Sequence, residues 1–287
     1  MKKIIFLTIA FCSIFSCACF GYPFNVKDAR GKAIDFKTKP MRIVSLAPGN
    51  TEILFAVGLS DRVVGVTRFC DYPAAAKKKT KVGDMNIDIE AVVGLKPDLV
   101  LAHLALNSAA IPKLERLGIH VFAIDPRTLS EVARDIRTIG KITARPRTAD
   151  SVAARIDGVV RRVKTASAGK PQRKALVVIQ SNPLWAAGPK TFVDEMLAMA
   201  NVKNVAFDAR AGFVPFSREV AISRNPDIII TGLKSDIEFF GKSPEWRSTK
   251  AVKNKRIYYV NSDILLRAGP RLADGLTDIT RRIDLAR

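Results

Sequence analysis

Two carboxylates with matched surroundings are the first residues in this chain that could do chemistry. Glu90 and Glu219 each stand seven residues before a Pro-Asp pair, Pro97-Asp98 and Pro226-Asp227, and an apolar run follows each pair. A carboxylate at a helix start complements the helix dipole or presents a fixed negative charge to a cationic partner; the spacing leaves both readings open. Aromatic rings are a second resource. Phe69 and Tyr72, with Arg68, lie in the loop from Thr67 to Pro73, after the apolar run Val63 to Val66, and Trp185 follows the run Ala175 to Ile179. Strand ends of this kind face ligand crevices in α/β sheets. Imidazole is scarce: the chain has His103, at the end of an apolar run, and His120, which stands just before one and reads as structural. No Gly-x-Ser-x-Gly elbow, complete phosphate loop or histidine pair at metal-ligand spacing occurs, so no catalytic residue and no protein-held metal is assigned.

The elements that must position these groups follow from the repeat. Each copy reads as a short helix beginning near the glutamate, stopped by the restriction that proline places on its predecessor, then a buried strand. Leu99 to Ala102 and Ile228 to Thr231 are nearly continuous apolar runs, as expected for parallel strands covered on both faces. The duplication predicts two similar α/β lobes. The first, residues 22–147, opens with a short leader, a strand over Arg42 to Leu46, the turn Pro48-Gly49-Asn50 and a helix closed by Gly58. Strands at Val63 to Val66, Leu99 to Ala102 and Val121 to Ile124 alternate with helices. Val152, Ile156, Val159, Val160 and Val163 recur at helical spacing and predict one long helix, residues 148–168, between the lobes. The second lobe, residues 169–287, begins with the strand Ala175 to Ile179 and a turn, Asn182 to Trp185. It continues through a helix from Phe192, the second repeat copy and a strand at Ile257 to Val260, and ends in a terminal helix opened by Pro270.

Composition bounds the compartment and the partners. Met1-Lys2-Lys3 followed by the apolar run Ile4 to Phe20, with small residues at Cys19 and Gly21, has the anatomy of a secretory signal over residues 1–21, cut after Gly21. An uncleaved anchor is disfavoured by Ser13 and Ser16. Cys17 and Cys19 sit in imperfect lipoprotein sites, which makes lipid attachment the competing outcome. Cleavage removes three of the four cysteines, leaves Cys70 without a disulfide partner, and takes two lysines from a formal charge of +20. The basic residues are scattered rather than grouped into a nucleic-acid module, so they read as a solvated surface and not as a nucleic-acid site.

RIVSLAPGNTEILFAVG, the DYP loop, GDMNIDIEAVVGLKPDLVLA, VPFSREVAISRNPDIIIT and the RAGPRL start of the last helix form an ordered set. Together they resemble the periplasmic binding proteins for iron complexes and cobalamin, over nearly the whole chain from Tyr22. The resemblance implies an α/β fold of two Rossmann-like lobes with central, mostly parallel sheets joined by one long interlobe helix. It also implies a monomer that holds a ligand between the lobes and delivers it to the permease dimer and ATPase of an ABC importer. Glu90 and Glu219 match the acidic posts that dock on permease arginines. Within the family the chain looks most similar to cobalamin binders. The resemblance then implies ligand contacts from Gly49, Asn50, Phe69, His103, Trp185, Phe213, Asp263 and Arg267. His103 and Phe213 replace tryptophans, Phe69 a tyrosine and Trp185 a phenylalanine. His103 brings a metal ligand into the cleft, so haem and ferric siderophores stay open as cargo. An α/β enzyme and a protein that binds surfaces by charge alone are the readings from other classes; the missing catalytic motifs weigh against the first. N-terminal sequencing of protein from its native host is expected to begin at Tyr22. An intact Met1 would contradict export, and an acylated cysteine would establish the lipoprotein form.

Overall fold

The computed structural model describes residues 22–286; the signal segment, Cys17 and Cys19 lie outside them. The duplicated motif is present in both lobes with matching detail. Asp88 caps the helix Ile89–Gly94 by accepting from the Ala91 N–H, and Ser217 caps Arg218–Ser223 by accepting from the Val220 N–H. Each glutamate is the second residue of its helix. The residue before each proline is left-handed, Lys96 at φ 46° and Asn225 at φ 51°. The proline ring disfavours the right-handed helical region for its predecessor, and the left-handed residue reverses the chain into the strand. Each aspartate then ties the new strand to the centre of its sheet. Asp98 accepts from the N–H groups of Met41 and Arg42 at 2.7 and 2.9 Å, and Asp227 accepts from that of Lys174 at 2.9 Å. The basic residue at that point reaches back to the helix end in both lobes, Arg42 to the Leu95 carbonyl and Lys174 to that of Arg224.

The first sheet is wholly parallel, in the order Thr80–Lys81, Val63–Val66, Ile43–Ser45, Leu99–His103, Val121–Ile124. The chain leaves the central strand Ile43–Ser45 in one direction and returns on its other side. The loops after Ile43–Ser45 and Leu99–His103 therefore diverge at a topological switch point, where α/β sheets open a crevice. The second sheet runs Phe213–Pro215, Trp185–Ala187, Arg173–Gln180, Ile228–Thr231, Ile257–Tyr259, with Val202–Asn204 also pairing to Arg173–Gln180. Its pairings are parallel except those of Trp185–Ala187, which is antiparallel to both neighbours.

Several features differ from the sequence reading, among them the edge strands Thr80–Lys81 and Val202–Asn204. The expected leader is an antiparallel hairpin, Phe24–Lys27 with Ala33–Phe36, whose alternation buries Ile34 and Phe36. Trp185 opens a strand rather than closing a turn, and Phe213 lies in the strand beside it. The helices Ser235–Lys242 and Lys250–Lys253 cover the second sheet, where buried Phe240 and Trp246 meet edge to face.

The long helix spans Pro146–Ser167, 22 residues and about 33 Å at 1.5 Å per residue. It starts two residues before the expected boundary because Pro146 occupies its first turn, where a missing N–H costs nothing. Ala149, Ala153, Ile156, Val159 and Val163 form its buried stripe. This stripe meets the helices Leu129–Ile142 and Leu272–Leu285. A Cβ at Gly140 would lie 2.1 Å from that of Ala149, so the first crossing needs glycine.

Asp135 is the exception in this region. Burial pushes its carboxyl up to about 6, against the attraction of Arg134 and assisted by Glu131 and Asp125. A raised folded-state value favours folding below the unfolded pKa, and that contribution is lost as pH rises through about 6. Asp135→Asn is expected to raise the thermal midpoint at pH 8, and the gain over wild type should vanish near pH 4. A gain independent of pH would contradict this assignment.

Candidate functional site

Three polar side chains converge on the switch point of the first sheet. The Asn50 amide donates to the Leu101 carbonyl at 3.2 Å. Asn107 accepts from the His103 N–H at 2.8 Å and donates to the Leu46 carbonyl at 3.2 Å, so the two diverging loops are stitched together. His103 ends its strand and is mostly buried. Its Nδ1 lies 3.7 Å from Asp125 Oδ1, and neither atom has a hydrogen-bond partner. Burial holds the imidazole below its ordinary pKa against the raising effect of Asp125, so it is neutral at neutral pH. Asp125 is held from its other side by Arg127 at 2.6 Å.

A charged cluster joins the lobes. Glu52, in the helix Pro48–Ala56 of the first lobe, has a side chain 2% exposed. It accepts two hydrogen bonds from Arg271 of the second lobe, at 2.9 and 2.6 Å. Burial pushes the Glu52 carboxyl above its ordinary value even against Arg271 and Arg267. Arg267 lies 2.5 Å from Asp71, 2.9 Å from Asp263 and 3.6 Å from Glu52. The bond from Arg267 holds the Asp71 carboxyl below the usual range. The Arg271 guanidinium also stands 3.9 Å over the Tyr72 ring, a cation–π contact that strengthens as water is excluded. The backbones close up as well: a Cβ on Gly49 would come within 2.4 Å of the Ala268 carbonyl. Elsewhere on the lobe boundary Glu195 accepts from the Leu129 N–H at 2.8 Å.

The sequence-chosen residues divide accordingly. Phe69, Trp185 and Phe213 are exposed, at 50%, 36% and 40%. Trp185 pairs with Pro215, two residues from Phe213, so the period of two puts Trp185 and Phe213 on one face of the ribbon. Gly49 and Asn50 are buried. Asp263 opens the helix Asp263–Leu266, and Arg267 follows it with its guanidinium committed to carboxylates. Glu90 and Glu219 are exposed in the first turns of their helices. Its own backbone N–H and Ser217 hold the Glu219 carboxyl below its ordinary value.

Sequence reasoning missed Glu52, Asp71, Asp125 and Arg271. Asp125 had a usable signal, since it follows the apolar run Val121–Ile124 as His103 follows Leu99–Ala102. The other three are joined across 196 and 219 residues of chain, a separation no local pattern reveals. Cys70 is free and buried. Among the described residues no group of three histidine, cysteine, aspartate or glutamate side chains is placed to hold a metal ion, and no helix is long and apolar enough to cross a membrane.

With the two sheets, the joining helix and the strand-end residues in view, the family can be stated. Residues 43–264 match the periplasmic binding protein family, and the chain belongs to it. The uncharacterized ABC transporter substrate-binding lipoprotein YvrC of Bacillus subtilis (strain 168) is 37% identical over 270 residues, covering 91% of this chain and 86% of that protein. The periplasmic vitamin B12 binding protein BtuF of Vibrio cholerae superposes with a TM-score of 0.78 at 27% identity, over 86% of this chain and 98% of that one. The periplasmic heme-binding protein RhuT of Roseiflexus sp. RS-1, in its apo form, gives 0.75 at 29%, over 86% and 99%. The chain is thus a binding protein of the ABC-transporter type, with an importer as its partner.

Breaking the interlobe pair has a defined consequence. Arg271→Ala leaves the buried Glu52 carboxylate without its two hydrogen bonds and with only Arg267, at 3.6 Å, to offset it, and is expected to cost about 3 kcal/mol in urea unfolding, the low end for a broken buried pair. The double variant Glu52→Leu/Arg271→Leu removes both charges and should lose clearly less. Equal losses in the two would contradict an ion pair whose value lies in mutual compensation.

Proposed function

We propose that this protein captures cobalamin, or a closely related metal-macrocycle, between its lobes outside the inner membrane and hands it to an ABC importer. The observation that carries this reading is the set of exposed rings, Phe69 in the first lobe and Trp185 and Phe213 in the second, at strand ends of a periplasmic binding protein. Flat apolar walls suit a macrocycle, and Asp263, bonded to Arg267 through Oδ1, has its second carboxylate oxygen to accept from amide groups at the rim. The kinship with a vitamin B12 binding protein supports the same choice. A ferric siderophore fits less well. Its anionic centre calls for converging cations, and Arg267 is already bonded to Asp71 and Asp263, which leaves exposed Arg68. Haem is the second reading, favoured by the neutral His103 imidazole and by the likeness to RhuT.

Glu90 and Glu219 serve docking in this account. Each is a fixed, exposed carboxylate at the same place in its lobe, which suits two symmetry-related permease subunits. Export through residues 1–21, as a soluble monomer or with a lipid on Cys17 or Cys19, precedes capture.

Titration of the purified protein with cyanocobalamin, haemin and ferric siderophores, followed by the visible spectrum of the ligand and its retention on ultrafiltration, with tryptophan quenching as a second readout in wild type, tests the cargo. Saturable cobalamin binding weakened at least tenfold by Trp185→Ala is expected; binding of a siderophore alone would overturn the reading. Glu90→Ala and Glu219→Ala should leave binding unchanged and weaken docking to the importer by about 2–5 kcal/mol each. Loss of binding with docking intact would refute that role.

A further inference from the structure

The His103–Asp125 pair is built for more than packing. Its two facing atoms, Nδ1 and Asp125 Oδ1, are buried, complementary and unpartnered at 3.7 Å. Buried polar groups are ordinarily satisfied, and an unsatisfied pair asks for a reason. Each partner is otherwise anchored. The His103 backbone is tied to Asn107, and Asp125 is braced by Arg127 at 2.6 Å. A hydrogen bond between them needs the 3.7 Å separation to shorten by about 0.5 Å. An imidazole whose Nδ1–H donates to a carboxylate carries its lone pair on Nε2, the arrangement that orients and strengthens histidine as a metal ligand. Nε2 itself has no hydrogen bond within the described residues, and the strand end that carries it opens on the switch-point crevice.

The surroundings restrict which metal it can take. No three histidine, cysteine, aspartate or glutamate side chains converge on a common point in the described residues, so a bare ion has too few donors. A metal that brings its own equatorial nitrogens needs only one more bond. We infer that His103, positioned by Asp125, is the axial ligand for a metal-macrocycle whose axial position is exchangeable, an iron porphyrin or an aquo-corrinoid. This inference rests on the macrocycle reading of the cleft. In the exchange, the Nε2 lone pair forms the bond to the metal and the axial water departs with its own pair. The Nδ1 proton stays between His103 and Asp125, and no electron changes hands.

The test uses the mature protein with haemin and aquocobalamin as separate probes, reading visible spectra alongside ligand retention by ultrafiltration. One probe is expected to be retained with a shifted visible band; which one identifies the macrocycle. His103→Gly should abolish the shift, and added free imidazole should restore it. His103→Gln, which keeps the volume, should lose the shift without rescue. Asp125→Asn should weaken the axial bond about 10- to 100-fold and move its band, which a purely structural role would not do. Retention of a probe with the same spectrum in wild type and His103→Gly overturns the axial-ligand inference and leaves the cleft reading standing. Retention of neither probe overturns both.

Discussion

The ion pair between Glu52 and Arg271 is the constraint on which the shape of the molecule depends. It joins the first helix of one lobe to the start of the last helix of the other, with both side chains largely removed from water. In that setting the attraction is screened little, and either charge alone would be expensive to keep. Around it Arg267 holds Asp71 and Asp263, Arg271 covers Tyr72, and Gly49 lets the Ala268 backbone close in. The loop that carries Phe69 also carries Asp71 and Tyr72, so the first lobe's side of the aromatic rim is tied to the ions behind it. The long helix Pro146–Ser167 then sets the span, and Glu195 ties the boundary again at Leu129.

Duplication explains how two lobes come to present equivalent surfaces. In each, a capped six-residue helix is followed by a left-handed residue, a proline, and an aspartate that accepts from backbone N–H groups where the chain enters the central strand. The helix, its glutamate and the sheet are thereby locked into one rigid unit. The backbone that carries Glu90 and Glu219 is tied in each lobe to the sheet. If the lobes are themselves fixed to each other, the distance between the two carboxylates is set by the fold, which a two-point docking partner requires.

What the sequence disclosed and what it hid follow from the range of the forces involved. The repeat, the buried strands and the long helix are written in local periodicity, and the structure has them near the expected positions. The hairpin Phe24–Lys27 with Ala33–Phe36 was missed because its strands are four residues each and half exposed. The strand at Trp185 is hidden in the sequence because Asn182-Pro183 is a strong turn signal and the strand is three residues long. The role of Arg267 shows the deeper limit. The resemblance implies a ligand contact for it, whereas its commitment to Asp71 depends on a partner 196 residues away. Asp125 stayed unnoticed beside His103 because only the strand order brings the two ends together.

The ion pair and the long helix are expected to hold the lobes at a fixed opening, so that cargo meets a preformed cleft rather than closing a hinge. Pulsed electron–electron resonance between spin labels at Val93→Cys and Ser223→Cys, exposed positions on the two repeat helices, measures this directly, since the remaining described cysteine, Cys70, is buried. The expected result is one narrow distance distribution that stays in place when cyanocobalamin or haemin is added. A broad distribution without cargo, or a shift beyond about 2 Å on binding, would contradict it.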